Sequence, residues 1–328
     1  MRVAYQELEK QFRRVLLKNG FPAEKAELCA RIFAENSRDG VYSHGVNRFP
    51  VFVQMVQEGW VLPSAEPEKV SAMGVLEQWD GHLAPGMYTA TLAMQRAIDL
   101  AKANGIGAVA VKHSNHWMRG GTYGWQAAEA GCIGICMTNT IANMPPWGGT
   151  EPTLGNNPVV IAVPRAGGHV VLDMAMTQYS FGKLQEYSLQ EEQLPYSGGF
   201  NNSGELSQDP DEIRASGRAL PIGLWKGAGL SLVIDLLVAS LSGGRTVAQI
   251  SEAAQEAGVS QFFLCIKADQ MDPEISNRVI AFAKSSALAE EGKDIRYPGE
   301  RTLATRHRNE QEGVPVNEEI WQQLTKNM

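Results

Sequence analysis

Residues 105–139, GIGAVAVKHSNHWMRGGTYGWQAAEAGCIGICMTN, carry the pattern that decides the fold class. GIGAVAVK is a short apolar run, TYGWQAAEA has helical spacing, and GCIGICMTN returns to an apolar, strand-like run. Strand, helix and strand in succession predict an α/β layer. The alternation continues outward: NPVVIAVP (157–164), HVVLDMA (169–175) and FFLCIKA (262–268) are further strands. The polar, turn-rich segment YSGGFNNSGELSQDPDE (196–212) is expected as an exposed loop.

Before about residue 70 the character differs. Leu8, Phe12, Val15 and Leu16 recur at helical spacing, and Gly20 stands where a C-terminal cap belongs. Pro22 suits the first turn of a second helix, with Cys29, Ile32, Phe33 and Asn36 on one face. After the loop DGVYSHG, a third helix carries Phe49, Phe52, Val53 and Val56, with Pro50 tolerated in its first turn. WVLPSAEPEK (60–69) is a linker with two prolines, and IWQQLTKNM is a terminal helix that returns to this lobe. The expected division is therefore a helical lobe over 1–70, joined by the C-terminal helix at about 314–328, and an α/β lobe over 71–313.

Composition sets the outer limits. At 328 residues and ~150 residues per domain, two lobes are expected. Hydrophobic residues at 44% and charged residues at 20% exclude disordered, collagen-like and coiled-coil classes. Lys plus Arg number 29 against 36 Asp plus Glu, a formal charge of -7, so the basic footprint of a general nucleic-acid binder is missing. MRVAYQELEK has no apolar signal core, and GLSLVIDLLVASL (229–241) is short and carries Asp235. A soluble, cytoplasmic protein that meets neither membrane nor nucleic acid is expected. Cys29, Cys132, Cys136 and Cys265 lack zinc-ligand spacing and are expected as small buried hydrophobes, leaving no metal site.

Four places could carry chemistry. The first test is for a dinucleotide fingerprint: G-x-G-x-x-G between a strand and a helix is absent, as is a Walker-type loop. LWKGAGLSL offers another cradle, with Lys226, Gly227 and Gly229 ahead of an apolar helix, and a glycine-rich helix start with a solvated lysine fits it equally. HSNHWMRGG places His113, Asn115, His116 and Arg119 in a loop at a strand end, where α/β folds put their chemistry. SHGVNRFP sets His44, whose proton moves near neutral pH, four residues before Arg48, which can clamp a carboxylate. That pairing suits a small carboxylic acid bearing a carbonyl or hydroxyl; a capped surface turn is the bland alternative. Asp173 closes a buried strand and needs a partner, for structural or catalytic reasons.

Taken together, SHGVNRFP, NHWMRGGTYGWQAAEAG, MPPWGG, GNNPVVIAVP, LDMA, LPIGLWKGAGLSLVIDLL and YPGE resemble the type-2 malate/L-lactate dehydrogenase family of nicotinamide-dependent oxidoreductases. The resemblance covers nearly the whole chain. It implies a non-Rossmann α/β fold with a mixed sheet and a helical lobe, assembled as a homodimer. It implies His44 as proton donor to a carbonyl oxygen, with His116 as the other acid/base histidine, and Asp173 is taken as the third catalytic candidate. Arg48 would hold the substrate carboxylate and Thr140 would sit near nicotinamide or substrate. The cofactor would lie along His169, Val170, Val171, Leu172, Asp173, Met174 and Ala175, with Trp225, Lys226, Gly299, Glu300 and Arg301 completing its site. Asn156 and Thr177 stand where relatives more often carry Thr and Ser.

The expected cofactor is NADH, with NADPH as the alternative. Arg296, Arg301, Arg306 and Arg308 crowd the late segment and could meet a 2′-phosphate or be solvated. The expected reaction is reduction of the 2-keto group of a sugar-derived keto acid; malate, lactate, ureidoglycolate and cyclic imino acids are the other substrates the shared residues admit. Outside this class stand a hydrolase, for which no G-x-S-x-G elbow exists, and a silent metabolite-binding protein.

Overall fold

A computed structural model describes every residue except 254, 291 and 328. The chain opens with β1 (Arg2–Val3) and the helices α1 (Tyr5–Lys18), α2 (Ala23–Arg38) and α3 (Phe49–Gln57), with a single 3-10 turn at Tyr42–His44. The hairpin β2 (Glu68–Met73) and β3 (Leu76–Asp80) leads into α4 (Gly86–Asn104), β4 (Ile106–Asn115), α5 (Gly121–Glu129) and β5 (Cys132–Thr138). A small pair, β6 (Ala142–Met144) and β7 (Leu154–Gly155), precedes β8 (Val159–Val163) and β9 (Val170–Met174). Next come α6 (Phe181–Leu189), the pair β10 (Gly199–Phe200) and β11 (Leu206–Ser207), and α7 (Pro210–Ser216). The chain finishes with α8 (Trp225–Ser242), α9 (Val247–Ser251), β12 (Ala257–Lys267), α10 (Pro273–Lys284), α11 (Glu300–Glu312), β13 (Val314–Pro315) and α12 (Glu318–Gln322).

Seven strands form one sheet in the order β2-β3-β4-β12-β5-β8-β9. Only β3 and β4 run parallel; every other neighbouring pair is antiparallel. The sheet is therefore mixed, as the family resemblance implied, and lacks the parallel βαβ start that a Rossmann fingerprint occupies. β12 is central, paired to β4 on one side and β5 on the other, and longer than FFLCIKA suggested. Its side chains alternate between two cores. Phe263 and Cys265 pack under α4 and α5, while Phe262 faces α8 with Met137 and Val159. All four cysteines are free and buried.

The helical part has its own core. Phe12, Phe33, Phe49 and Phe52 meet ring to ring, Phe12 and Phe49 at 4.4 Å between centroids. Val314, Val316 and Leu324 from the chain's end complete it, and β1 pairs antiparallel with β13. Met87 at the start of α4 and Met118 after β4 also enter this core, so the two halves share packing where the cleft lies.

Two sequence expectations are corrected. The segment 196–212 is not a bare loop: it forms the β10–β11 hairpin and the start of α7, whose cap Asp209 accepts from the N–H groups of Asp211 and Glu212. Lys226, Gly227 and Gly229 are not a loop before a helix, because α8 already begins at Trp225. Gly227 is a packing glycine: a Cβ there would lie 2.4 Å from the Ile222 carbonyl oxygen.

Candidate active site

A cleft of about 690 Å³ opens between the helical part and the sheet, within the ~300–1,000 Å³ range of small-molecule sites. The end of α2 builds its first wall. Ser37 Oγ donates to the Phe33 carbonyl and accepts from Val46 N–H at 2.8 Å, while Asn36 Nδ2 donates to the His44 carbonyl at 3.0 Å. A Cβ on Gly45 would meet Ser37 Oγ at 2.3 Å, so only glycine lets the His44 turn lie this close to α2. His44 and Arg48, at the start of α3, both face the cleft. His44 Nδ1 lies 3.0 Å from Ser43 Oγ.

The end of β4 and the loop after it supply the second wall and divide the labour. Asn115 is structural: its amide donates to the carbonyls of Leu83, Ala84 and Trp60. Trp117 packs into the sheet core. His116 faces the cleft, its ring stacked on His44 at 5.7 Å. The Met118 N–H donates to His116 Nδ1 at 3.0 Å, so the neutral ring carries its proton on Nε2. The expectation that His113 and Asn115 lie in a loop is corrected, because β4 runs on to Asn115; His113 lies outside the cleft and pairs with Asp80 at 3.0 Å.

Burial, then the charges of Arg48 and Arg119, hold the His44 pKa down to about 4. Burial, Arg48 and His44 push His116 well below its ordinary value. Both imidazoles are therefore neutral at pH 7 when the cleft holds no anion. Asp173 is open to the cleft's solvent and accepts from the Gly121 N–H at 2.8 Å. Desolvation deep in the cleft raises its pKa, against the pull of Arg119 and that N–H.

Arg119 is itself held from behind. Its Nη1 donates to Asp39 Oδ2 at 2.8 Å, and Arg306 reaches the same carboxylate through Nε at 2.8 Å and Nη2 at 2.7 Å. Arg38 adds a third contact at 3.1 Å. Burial raises the Asp39 carboxyl, but the Arg306 hydrogen bonds and the three guanidinium charges outweigh it and leave it below the usual range.

The third wall is polar. Thr140 N–H donates to Asn157 Oδ1 at 3.0 Å and its hydroxyl to Asn156 Oδ1 at 2.9 Å; Asn143 reaches the same oxygen at 3.2 Å. Asn156 thus builds the wall that bears Thr140. Thr177 is buried where its backbone bridges to Pro221.

The cofactor residues expected from sequence form one strip around β9, the sheet's edge strand. Val170 to Met174 are the strand itself, His169 precedes it and Ala175 enters the cleft beyond it. Val171 N–H donates to the Pro298 carbonyl at 3.0 Å, which brings Gly299, Glu300 and Arg301 at the start of α11 alongside. Gly299 takes φ +96, and a Cβ there would meet the His169 carbonyl oxygen at 3.1 Å. Beyond the other end, Ile222 N–H donates to the Met176 carbonyl, three residues before the exposed Trp225 and Lys226. Neither of these two lines the cleft.

Sequence reasoning missed Glu256, Asn143 and a cap made of Ser180, Phe181, Gly182, Gln185 and Arg214. The cap leans on the His44 turn, since a Cβ on Gly182 would lie 2.6 Å from Ser43 Cβ. Glu256 had no sequence signal, because it lies in an ordinary charged stretch ahead of β12. In space its Oε2 accepts from the Ile141 N–H at 3.0 Å, and its Oε1 stands 3.9 Å from His116 Nε2. Burial raises its pKa, opposed by the Ile141 N–H and by Arg48.

Comparison with known proteins places this geometry among relatives. A sequence profile of the malate/L-lactate dehydrogenase family matches residues 3–325. The 2,3-diketo-L-gulonate reductase of Citrobacter koseri is 43% identical, with 99% of each chain covered. That of Pasteurella multocida is 44% identical over 99% of each chain. The malate dehydrogenase of Entamoeba histolytica superposes with a TM-score of 0.94 over 99% of this chain and 96% of its own, at 23% identity, a likeness of fold.

Proposed function

The chain belongs to the malate/L-lactate dehydrogenase family, which makes it an oxidoreductase acting on CH–OH groups, and from that premise we propose that it reduces 2,3-diketo-L-gulonate at the 2-keto carbon to 3-dehydro-L-gulonate. The observation that carries this reading is the meeting of His44, Arg48, His116 and Thr140 in one cleft, beside relatives of that name over the full chain.

In this reading Arg48 takes the keto acid's carboxylate, a bidentate match that fixes the carbonyl in the cleft. A nicotinamide cofactor, when bound, supplies a hydride for the 2-keto carbon. His44 gives its proton to the carbonyl oxygen, worth ~10²–10⁴ in rate. The substrate helps to load that proton: burial is the main reason that the His44 pKa lies at about 4, and the carboxylate offsets the Arg48 charge that adds to it. His116 and Asp173, on the same cleft, flank the reacting group.

The strip around β9 fits such a cofactor. By strand alternation, Asp173 turns its backbone groups to the same edge as Val171, whose N–H is taken by Pro298, and Gly299 lets the chain before α11 lie close against this edge. NADH is favoured over NADPH because one of the late arginines, Arg306, is already committed to the buried Asp39.

A homodimer is supported by α8. It buries Ala228, Ser231, Ile234 and Val238 on the sheet but leaves Leu230, Val233, Leu236 and Leu237 exposed, Leu236 by 58%. Such a contiguous apolar face marks an interface. This helix is apolar and long enough to cross a membrane by length and composition, but its inner face is packed on the sheet and Asp235 accepts from Asn139. The four free, buried thiols suit a reducing cytoplasm.

The test is loss of reduced-nicotinamide absorbance with NADH, and separately NADPH, against a panel of 2-keto acids headed by 2,3-diketo-L-gulonate. Fast oxidation of NADH with that substrate is expected. Oxidation with pyruvate or oxaloacetate instead would overturn the substrate, and a preference for NADPH would overturn the cofactor.

A further inference from the structure

His116 and Glu256 face each other across a gap that neither closes. The Met118 N–H occupies His116 Nδ1, so the Nε2 edge is a donor, and the Ile141 N–H occupies Glu256 Oε2, so Oε1 is left as the acceptor. The two stand 3.9 Å apart, beyond a hydrogen bond, and both line the cleft with His44 and Arg48.

We propose that His116 and Glu256 together are the specificity determinant for a hydroxyl group on the substrate, selecting polyhydroxylated acids over hydroxyl-free acids of equal charge. This rests on the reading of the cleft as a keto-acid site. An oxygen placed ~2.8 Å from both atoms subtends about a right angle and fits the gap. A hydroxyl satisfies both sides, accepting from Nε2–H and donating to Oε1. A carbonyl or carboxylate oxygen has no proton for Glu256, and an ammonium or amide N–H meets the Nε2–H as a second donor. A methylene satisfies neither and leaves a buried carboxylate and an imidazole N–H without partners, the arrangement by which sites reject analogues lacking a hydroxyl. Arg48 lines the same cleft and would hold the acid's carboxylate near the pair.

The experiment is calorimetric binding, without cofactor, of L-gulonate and of hexanoate to the full-length protein and to Glu256→Gln. Glutamine keeps an oxygen for the Ile141 N–H but turns an NH₂ toward His116, so the donor–acceptor pair becomes two donors. L-gulonate affinity is expected to fall by about 10- to 150-fold, the worth of a hydrogen bond to a charged group. Hexanoate affinity is expected to change by less than about threefold, since hexanoate uses Arg48 and the cleft's apolar atoms but not the pair. An unchanged L-gulonate affinity would overturn the proposal, as would an equal loss for both ligands, which indicates a structural role. Glu256→Asp, which restores a carboxylate, is expected to recover part of the discrimination; no recovery with the fold intact counts against the charge as the recognised feature. Because the readout is binding, failure of the reductase assay leaves this result standing on its own.

Discussion

Replacing Asp39 with asparagine removes one negative charge from beneath three guanidiniums while nearly conserving shape. The Asp39 side chain is 3% exposed, Arg119 6% and Arg306 18%. Removing one partner of a buried pair costs ~3–5 kcal/mol, because the remaining charge stays desolvated without compensation. Here three cations share the carboxylate, and Glu35 is near enough to offset part of their charge, so the middle of that range, ~4 kcal/mol, is expected. Unfolding entropy of ~2.1 cal/mol/K per residue gives about 0.7 kcal/mol/K for 328 residues, so Tm should fall by about 6 °C. The arginines hold the folded pKa of Asp39 below its unfolded value. Its stabilisation is therefore complete above the unfolded pKa of ~3.9 and is lost only as pH falls through the folded one. The Tm difference between the wild type and Asp39→Asn should accordingly be constant between about pH 5 and 8. Differential scanning calorimetry across that range is the assay. A variant within about 1 °C of the wild type would refute the claim that Asp39 holds these arginines together.

His44→Gln is expected to lower kcat by ~10²–10⁴ with little change in Tm, read by steady-state rates beside a melting curve; full turnover would remove His44 from the proton-transfer role. Because the free enzyme's His44 is held down to about 4 and the reduction needs it protonated, kcat/KM for reduction should rise as pH falls from 8 to 5, while the reverse oxidation stays level above about pH 6. A reduction rate that climbs with pH would contradict that sign. Gly86→Ala sets a Cβ 2.1 Å from the Asn115 carbonyl oxygen and 2.4 Å from that of His116. Since both are backbone, it should cost ~1–3 kcal/mol by denaturant unfolding and also lower kcat by moving His116. Val233→Glu with Leu237→Glu on the exposed face of α8 should convert a dimer to a monomer in analytical ultracentrifugation; an unchanged mass would place any interface elsewhere.

The α/β class and the helical N-terminal region were legible in the chain, and so was the choice of His44, Arg48 and His116 as candidates, which the fold brings to one cleft. Each rests on information local in sequence: the period of apolar residues, the turn glycine beside His44 and short motifs read against a family's pattern. The mixed sheet also followed from that resemblance, because antiparallel pairing around β12 leaves no local mark in strands buried on both faces. Tertiary structure alone decided which neighbours of those residues matter. NHWMRG holds three polar residues in one short segment, yet folding sends Asn115 to three carbonyls, Arg119 to Asp39 and only His116 to face Glu256. Glu256 lies 140 positions from His116 in sequence, and Asp39 is 267 from Arg306. Their meetings depend on how β12 inserts between β4 and β5 and how α11 lies across α2, and a contact so distant carries no periodicity to read. The same holds for the neutral state of the two histidines, which is set by burial and by arginine charges that only the folded chain brings together.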